Sequence, residues 1–294
     1  MVKMDELTPI VKNGDIYFKR DDFYTPFTGS SLNGGKCRQA LSLIHNNSDL
    51  ILDKFQNTTI SAVSVDSPQG MINAQVCKDY GIKCILIVGS KSSVDKICKD
   101  HNLMNEARKL GAEIIAYKDS SNYQADLDRK INKDYGDKFF VIKFGFGMNS
   151  HTVTNDFWDS SPLHSASYDS ILQETANQVE NLPDDIQHLV IPAGSGISAS
   201  GIMQGLNQFN KKPKIIHIVQ IDEKTRQIKG DLYNVNYVEY GKFPYSVKHK
   251  IPNMDFLDWV YEAKAYHWLM NESNIDFRYE KTVFWVVANM NDFH

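Results

Sequence analysis

From residue 58 onward, short apolar runs rich in β-branched residues alternate with longer segments in which apolar residues have helical spacing. The apolar runs predict buried strands at 58–65, 83–88, 113–117 and 139–144. The longer segments predict helices at 69–80, 92–110 and 122–135. Strands and helices that alternate in this order are typical of right-handed βαβ units and a parallel sheet.

Segment 145–167 interrupts the alternation because it is rich in Gly, Ser, Asn, His and Pro, and we interpret it as a crossing between two lobes. After it we predict, in chain order, helix 170–180, strand 188–192, a glycine turn, a helix that ends at Phe209, strand 215–221, irregular chain after Asp222, helix 256–270 and strand 282–287. The predicted fold is α/β, with two lobes that are each a mainly parallel sheet flanked by helices. Such folds bind ligands at the carboxyl ends of their strands.

The composition argues against several classes of function. With 294 residues, 42% of them hydrophobic and 23% charged, the chain resembles an ordinary soluble globular protein. A formal net charge of −4 without a basic stripe argues against nucleic-acid binding. The four cysteines form neither a C-x-x-C pair nor a Cys/His metal spacing, so we expect free thiols, a cytoplasmic location and no metal. We also expect no signal peptide and no membrane span.

A loop of small residues at 192–201 is the strongest local signal for anion binding. It follows an apolar strand and opens a helix, where backbone amides and the helix dipole favour negative charge. Ser195 and Ser198 would add hydroxyl donors. The alternative is a glycine-rich turn that only packs a helix on a strand. The spacing is neither that of a Walker A loop nor G-x-G-x-x-G, which disfavours a nucleotide site.

Two further segments carry candidate chemistry. Lys36 follows the Gly34-Gly35 turn at a helix start, a poor place for a cation in the helix dipole. It is either a solvated surface lysine or a desolvated lysine whose pKa is lowered enough for imine chemistry. Ser67 lies in a turn between a strand and a helix, where it is either a helix N-cap or part of a group that holds a carboxylate.

These three segments, in this order, resemble the fold-type-II pyridoxal-phosphate family, nearest the branch of 1-aminocyclopropane-1-carboxylate deaminase and D-cysteine desulfhydrase. Residues 83–88 match that branch's K-C-x-L-V strand, and residues 107–113 match its A-R-x-L-G-A-E/D segment. Residues 258–264 match its D-P-V-Y-E/T-G-K segment. The resemblance implies a tryptophan-synthase-β-like fold with pyridoxal 5′-phosphate between the lobes. It implies a large cofactor-binding lobe at 1–36 and 146–294, and a smaller lobe at 37–145.

The resemblance also implies roles for individual residues. Lys36 would be the Schiff-base lysine and proton shuttle, and Ser67 would approach the substrate. Glu262 would face the pyridine nitrogen, where a carboxylate keeps the ring protonated and makes it a stronger electron sink. Tyr261 is counted with these three as a catalytic candidate. The implied phosphate contacts are Gly194, Ser195, Gly196, Ile197 and Ser198. Without the resemblance, Glu262 would be interpreted as an exposed residue on an amphipathic helix.

The sequence departs from the family pattern at several places. Gly35 stands where an asparagine usually precedes the lysine. Pro68 or Gln69 stands where an asparagine usually contacts the cofactor's ring oxygen, and only Gln69 could make that bond. Ala288-Asn289-Met290 replaces a T-G-G sequence, and the chain is shorter between residues 240 and 258.

We therefore expect a lyase or deaminase that uses ring opening or β-elimination on a small amino acid and releases a 2-oxo acid and ammonia. The same chemistry on an amino acid attached to a larger molecule stays open, because the shortened segment could leave the mouth of the site open. A catalytically silent relative that binds the cofactor or an amino acid also stays open, although Lys36, Ser67 and Glu262 are all retained. A nucleotide-binding module has only the glycine loop in its favour. The family suggests a homodimer.

Overall fold

The computed structural model describes residues 6–117, 124–147, 162–221, 233–244 and 247–293. The chain forms two compact units. The larger unit contains Met1–Gln39 and Ile171–Asn291, and the smaller unit contains Ala40–Ser170 and Asp292–His294. None of the described helices is both long and apolar enough to cross a membrane.

The described strands and helices alternate along most of the chain. The strands are β1 (Ile10–Asn13), β2 (Ile16–Arg20), β3 (Thr58–Ala62), β4 (Lys83–Gly89), β5 (Glu113–Tyr117), β6 (Phe140–Ile142), β7 (His188–Ala193), β8 (Ile215–Gln220), β9 (Val235–Glu239) and β10 (Thr282–Val286). The helices are α1 (Gly35–Lys54), α2 (Gln69–Asp79), α3 (Val94–Asp100), α4 (Asn102–Lys109), α5 (Gln124–Tyr135), α6 (Pro162–Asn177), α7 (Ile197–Gln208) and α8 (Glu262–Asn271).

The larger unit is built on a six-stranded sheet with the order β1-β2-β10-β7-β8-β9. Only β1 is antiparallel to its neighbour, and the other described pairs are parallel. Every residue of β7 and β10 is buried, as expected for a parallel sheet that is covered on both faces. Along β10, Trp285 packs in one core with Leu206 of α7, and Phe284 packs in another with Leu269 of α8. The two helices therefore cover opposite faces of this sheet.

The smaller unit has a four-stranded sheet with the order β5-β4-β3-β6, in which all the described pairs are parallel. One face is covered by α5, whose Leu127 and Ile131 pack against Ile60 of β3 and Ile85 of β4. The predicted α/β fold with two mainly parallel sheets and flanking helices is confirmed.

Four predictions about individual elements were wrong. The helix predicted at 92–110 is broken at His101, whose backbone is extended between α3 and α4. The helix predicted from 256 begins only at Glu262, and the strand β9 lies in the part predicted to be irregular. Helix α6 already begins at Pro162, inside the predicted crossing, because proline fits the first turn of a helix. The rest of that crossing, from 148 to 161, lies outside the described residues.

A buried histidine pair joins the first residue of β7 to the third residue of β8. Nδ1 of His188 lies 2.9 Å from Nε2 of His217, and Nδ1 of His217 lies 3.1 Å from the side-chain nitrogen of Asn236 on β9. His188 also lies 3.5 Å from the Glu280 carboxylate. Burial, assisted by the neighbouring His188, lowers the pKa of His217 from 6.5 to about 4.

This histidine should make stability depend on pH. Between about pH 6.5 and pH 4 the unfolded chain binds a proton at His217 that the folded chain excludes, so folding stability is lost as the pH falls through this window. We expect His217→Gln to flatten the dependence of the melting temperature on pH between 4 and 6.5, measured by circular dichroism. The exposed His45 provides the control, as His45→Gln. Equal pH slopes for the wild type and the His217 variant would contradict this assignment.

Candidate functional site

The sharp turn before Lys36 allows another part of the backbone to come very close. Gly34 has a φ of +90°, and a Cβ there would collide with the carbonyl oxygen of Val287 and the side chain of Ala288. Only glycine fits this position. Gly35 donates its backbone N–H to the same Val287 carbonyl at 2.8 Å, whereas a Cβ on Gly35 would make only ordinary contacts. Lys36 is the second residue of α1, so this contact fixes the backbone that carries it.

The same backbone segment also holds Glu262, the first residue of α8. The Glu262 side chain is buried, with 2% of the residue exposed. Its Oε1 accepts hydrogen bonds from the backbone N–H of Val287 at 3.0 Å and of Ala288 at 3.3 Å. Val287 and Ala288 therefore contact both the turn before Lys36 and the carboxylate of Glu262. The structure brings these two predicted catalytic residues to one place.

Burial and charge act on both groups. Burial lowers the pKa of Lys36, while the nearby carboxylates of Asp258 and Glu262 oppose this effect. Burial, followed by the charge of Asp258, raises the pKa of Glu262 well above its usual value, and the bonded amides of Ala288 and Val287 oppose it. Part of the Lys36 side chain reaches solvent, yet desolvation is the largest effect on its amine. The site therefore combines a lysine inclined to be neutral with a carboxyl group inclined to be protonated.

Asp258 explains why α8 begins late. Its Oδ1 accepts hydrogen bonds from the backbone N–H of Val260 at 2.8 Å and of Tyr261 at 3.1 Å. A side chain that bonds to amides two and three residues ahead competes with helix formation at those residues. The helix consequently starts at Glu262, with Tyr261 as its N-cap. Asp258 matched the family segment in the sequence, but its position beside Lys36 became visible only in the structure.

The glycine loop forms the N-terminus of α7. Gly196 is the N-cap residue and has a φ of +83°. The backbone N–H of Ser200 bonds to the Gly196 carbonyl, so the amides of Ile197 and Ser198 lie in the first turn, where no intrahelical acceptor exists. Tyr261 packs on this loop, and its ring lies so close to Gly194 that a Cβ on this residue would come within 2.7 Å of the ring. The structure therefore brings Tyr261 together with the predicted phosphate contacts.

Sequence reasoning missed Gln39, which lies one helical turn after Lys36 and is completely buried. Its side-chain nitrogen donates to the hydroxyl oxygens of Ser198 at 3.2 Å and Thr175 at 3.0 Å. A hydroxyl that accepts in this way keeps its own hydrogen for another acceptor. Gln39 thus leaves Ser198 as a donor at the N-terminus of α7. The spacing of three residues after Lys36 on one helix was the available signal.

Two other lysines of the larger unit are buried, and the amine of each donates a hydrogen bond to a backbone carbonyl. Burial lowers the pKa of both Lys19 and Lys264 to about 8. The Lys19 amine donates to the Thr8 carbonyl at 2.7 Å, and the Lys264 amine donates to the Pro244 carbonyl at 2.8 Å. By contrast, the amine of Lys36 has no hydrogen-bond partner within the described part of the chain. A lowered pKa alone does not distinguish Lys36 from Lys19 and Lys264. What distinguishes Lys36 is a desolvated amine without a hydrogen-bond partner among the described residues.

The remaining predicted residues, Ser67 and Gln69, belong to the smaller unit. Ser67 is buried and directly precedes Pro68, the N-cap of α2, and its hydroxyl accepts a long hydrogen bond from the Gln69 N–H at 3.4 Å. The Gln69 side chain donates to the carbonyl of Lys143 at 2.9 Å and accepts from the N–H of Gly145 at 2.7 Å. These bonds anchor the chain after β6 and use one of the two amide hydrogens of Gln69. The roles of Ser67 and Gln69 towards substrate and cofactor stay predictions.

The groups in the larger unit fit the cofactor expected from the sequence. A phosphate needs several hydrogen-bond donors, which the first turn of α7 and the hydroxyl of Ser198 supply. An aldehyde needs a nucleophilic amine, and the Lys36 amine is desolvated. A pyridine nitrogen that holds a proton needs a buried carboxylate, which Glu262 supplies. The donor set and its burial therefore suit pyridoxal phosphate.

Comparison with known proteins identifies relatives of this chain. It is 26% identical over 219 residues to an O-seryl-dTMP PLP-dependent decarboxylase of Salmonella phage ViI, a match that covers 71% of this chain and 47% of that protein. The chain thus spans about half the length of this relative. It is 23% identical over 286 residues to a Pyrococcus furiosus protein provisionally named 1-aminocyclopropane-1-carboxylate deaminase, with 87% of this chain and 79% of that protein covered.

Solved structures and a family profile agree with these relatives. The crystal structure of a 1-aminocyclopropane-1-carboxylate deaminase homologue is 18% identical, has a TM-score of 0.68 and covers 98% of this chain and 91% of that one. At this identity the likeness establishes the fold, which is fold type II. The profile described as pyridoxal-phosphate dependent enzyme matches residues 1–240. Because this match spans most of the chain, the protein belongs to the pyridoxal-phosphate dependent enzyme family, and its cofactor is pyridoxal 5′-phosphate.

Proposed function

We propose that this enzyme is a deaminase or lyase that acts on a small amino acid and releases a 2-oxo acid and ammonia by ring opening or β-elimination. The observation that carries the proposal is the desolvated amine of Lys36 beside the buried carboxyl groups of Asp258 and Glu262. Pyridoxal phosphate, when bound, supplies an aldehyde for amines and a ring that accepts electrons from the substrate.

Lys36 is the proposed proton shuttle. Burial favours the neutral form of its amine, and a neutral Nζ can take a proton from a substrate carbon and return it. The nearby carboxylates stabilise the ammonium that forms when Nζ receives the proton. Burial and the nearby carboxylates thus act on the Lys36 amine in opposite directions.

Glu262 is the proposed partner of the ring nitrogen. Its Oε1 is occupied by the amides of Val287 and Ala288, which leaves Oε2 for a ligand. Burial raises the pKa of this carboxyl group, so ionised Glu262 requires a cationic partner. In the proposal, that partner is a protonated ring nitrogen, and the charge-assisted pair keeps the proton on the nitrogen.

The assignment of Lys36 can be tested chemically. Borohydride reduction of the holoenzyme should fix the cofactor covalently to the peptide that contains Lys36, as detected by mass spectrometry after digestion. Lys36→Ala should abolish turnover, while the first turn of α7 retains some cofactor. Lys19 and Lys264 serve as internal controls because they are also buried lysines. A label found on either of them would overturn the assignment.

The role of Glu262 predicts a loss of rate without a loss of cofactor. Glu262→Gln removes the charge but preserves shape, so turnover should fall by about 100-fold or more, with cofactor loading little changed. Loading is measured by visible absorption and turnover by release of the 2-oxo acid. The control is Glu272→Gln, at the exposed far end of α8. Turnover near that of the wild type in the Glu262 variant would mean that the ring nitrogen is paired elsewhere or is unprotonated.

A second candidate function is the same cofactor chemistry on an amino acid attached to a larger molecule. It is supported by the phage relative, whose name specifies an O-seryl nucleotide as substrate. It is also supported by an aromatic and cationic pair beside the segment that leads to Glu262: the Lys250 amine lies 3.8 Å from the centre of the half-buried Trp259 ring. A backbone bond from His249 to the Trp259 carbonyl holds the two segments together. Such a pair can stack on a base and attract a phosphate.

Substrate comparison separates the two candidates. Steady-state kinetics with L-serine and with O-seryl-dTMP should, for the second candidate, give a kcat/KM for the nucleotide at least about tenfold higher, or about 1.4 kcal/mol. Trp259→Ala and Lys250→Ala should then lower only the value for the nucleotide, and the exposed Lys242 provides the control as Lys242→Ala. Equal or higher efficiency with the free amino acid would reject the second candidate.

A further inference from the structure

Three asparagines connect the chain after β10 to two other segments of the larger unit: the turn before Lys36 and the segment before α8. We call Asn33, Asn289 and Asn291 the asparagine ladder. The side-chain nitrogen of Asn33 donates to the carbonyl of Asn289 at 2.6 Å. The backbone N–H of Asn289 donates in return to the side-chain oxygen of Asn33 at 2.7 Å. This two-bond bridge lies three residues before Lys36 and one residue after Ala288.

The other two asparagines extend the ladder towards the segment before α8. The Asn289 side chain donates to the Asp255 carbonyl at 3.0 Å and accepts from the N–H of Asn291 at 3.1 Å. The Asn291 side chain donates to the carbonyls of Asp255 at 3.1 Å and Leu257 at 3.0 Å. It also accepts from the N–H of Trp259 at 3.1 Å. The ladder therefore satisfies backbone groups on both sides of Asp258.

The ladder lies where it can fix the positions of Lys36 and Glu262 relative to each other. The amides of Val287 and Ala288 donate to Glu262. Both residues lie directly before Asn289, to which Asn33 is hydrogen-bonded. The same short segment ends in Asn291, whose side chain is hydrogen-bonded to the backbone of Leu257 and Trp259 on either side of Asp258. Irregular backbone lacks the ladder bonds of a helix or sheet, so its geometry depends on side chains that satisfy its polar groups. Here those side chains are Glu262 and the three asparagines.

We propose that the asparagine ladder positions the amides of Val287 and Ala288 on Glu262, and thereby sets the geometry between Glu262 and Lys36, with Asn33 as the key positioning residue. The catalytic consequence rests on the function proposed above, whereas the positioning itself does not. Without Asn33, segment 287–289 loses two of the three hydrogen bonds that anchor it to the turn before Lys36 and keeps only the one from the Gly35 N–H to the Val287 carbonyl. The amides would then leave Glu262 less well held.

The test compares Asn33→Ala with a matched control, Asn271→Ala, in the holoenzyme. Asn271 also donates to a backbone carbonyl, that of His267 at 2.8 Å, but at the opposite end of α8 from Glu262. Hydrogen exchange followed by mass spectrometry should show at least tenfold faster exchange of the peptide that contains residues 287–289 in Asn33→Ala only. Turnover should fall at least tenfold in kcat, with KM within about twofold of the wild type, and the control should change neither.

Asn33→Asp covers the case in which Asn33→Ala does not fold. Aspartate keeps the oxygen that accepts from the Asn289 N–H and loses the nitrogen that donates to the carbonyls of Asn289 and Ser31. It should show intermediate exchange and an intermediate kcat. Unchanged exchange at 287–289 in a folded Asn33 variant would overturn the proposal. Faster exchange with wild-type kcat would overturn the catalytic part of the proposal, because a purely structural contact would behave in that way.

The same data separate this proposal from the proposed function. If Lys36→Ala and Glu262→Gln retained turnover, the function would fail. Faster exchange at 287–289 in Asn33→Ala would still support the positioning of this segment. Conversely, unchanged exchange together with inactive Lys36 and Glu262 variants would reject the ladder and leave the proposed function intact.

Discussion

The close contact between the Gly34 turn and the backbone of Val287 and Ala288 is the constraint on which the candidate site depends. A side chain at Gly34 would overlap the carbonyl of Val287, so the approach exists only because this residue is glycine. Because of this approach, the Gly35 N–H bonds to the Val287 carbonyl. The approach also places the amides of Val287 and Ala288 where the carboxylate of Glu262 can accept hydrogen bonds from them. This contact thereby holds Lys36, which lies one residue after the turn, near Glu262, which is hydrogen-bonded to the segment of Val287 and Ala288.

The sheet of the larger unit explains why these segments meet. Strand β10 lies between β2 and β7 in the sheet, and the chain after it emerges at the carboxyl end of parallel strands. The turn that leads to α1 follows β2, and the glycine loop follows β7, so both start from the same edge. Helix α8 covers one face of this sheet and presents Glu262 at its first residue. Sheet order thus brings distant parts of the sequence to one edge.

Electrostatics then divides the work between the two groups. A buried lysine and a buried carboxyl group are each costly as isolated charges, and burial shifts their pKa values in opposite directions, towards the neutral forms. The amides on Glu262 and the carboxylates near Lys36 partly restore the charged forms. Both groups are thus inclined to their neutral forms, and a bound ligand of opposite charge would favour their charged forms.

The sequence by itself determined the α/β class, most strands of both sheets, and the identity of Lys36, Glu262 and the glycine loop as candidates. These are local signals: alternating apolar periods, glycines at turns, and short motifs in a fixed order. It did not reveal the break at His101, the strand β9 or the late start of α8, since each depends on contacts or on a single side chain such as Asp258. Gln39 and the asparagine ladder were decided only by the tertiary structure. Gln39 lies 136 and 159 residues from Thr175 and Ser198 along the chain, and Asn33 lies 256 residues from Asn289, so only packing of the sheet brings these residues within hydrogen-bond distance.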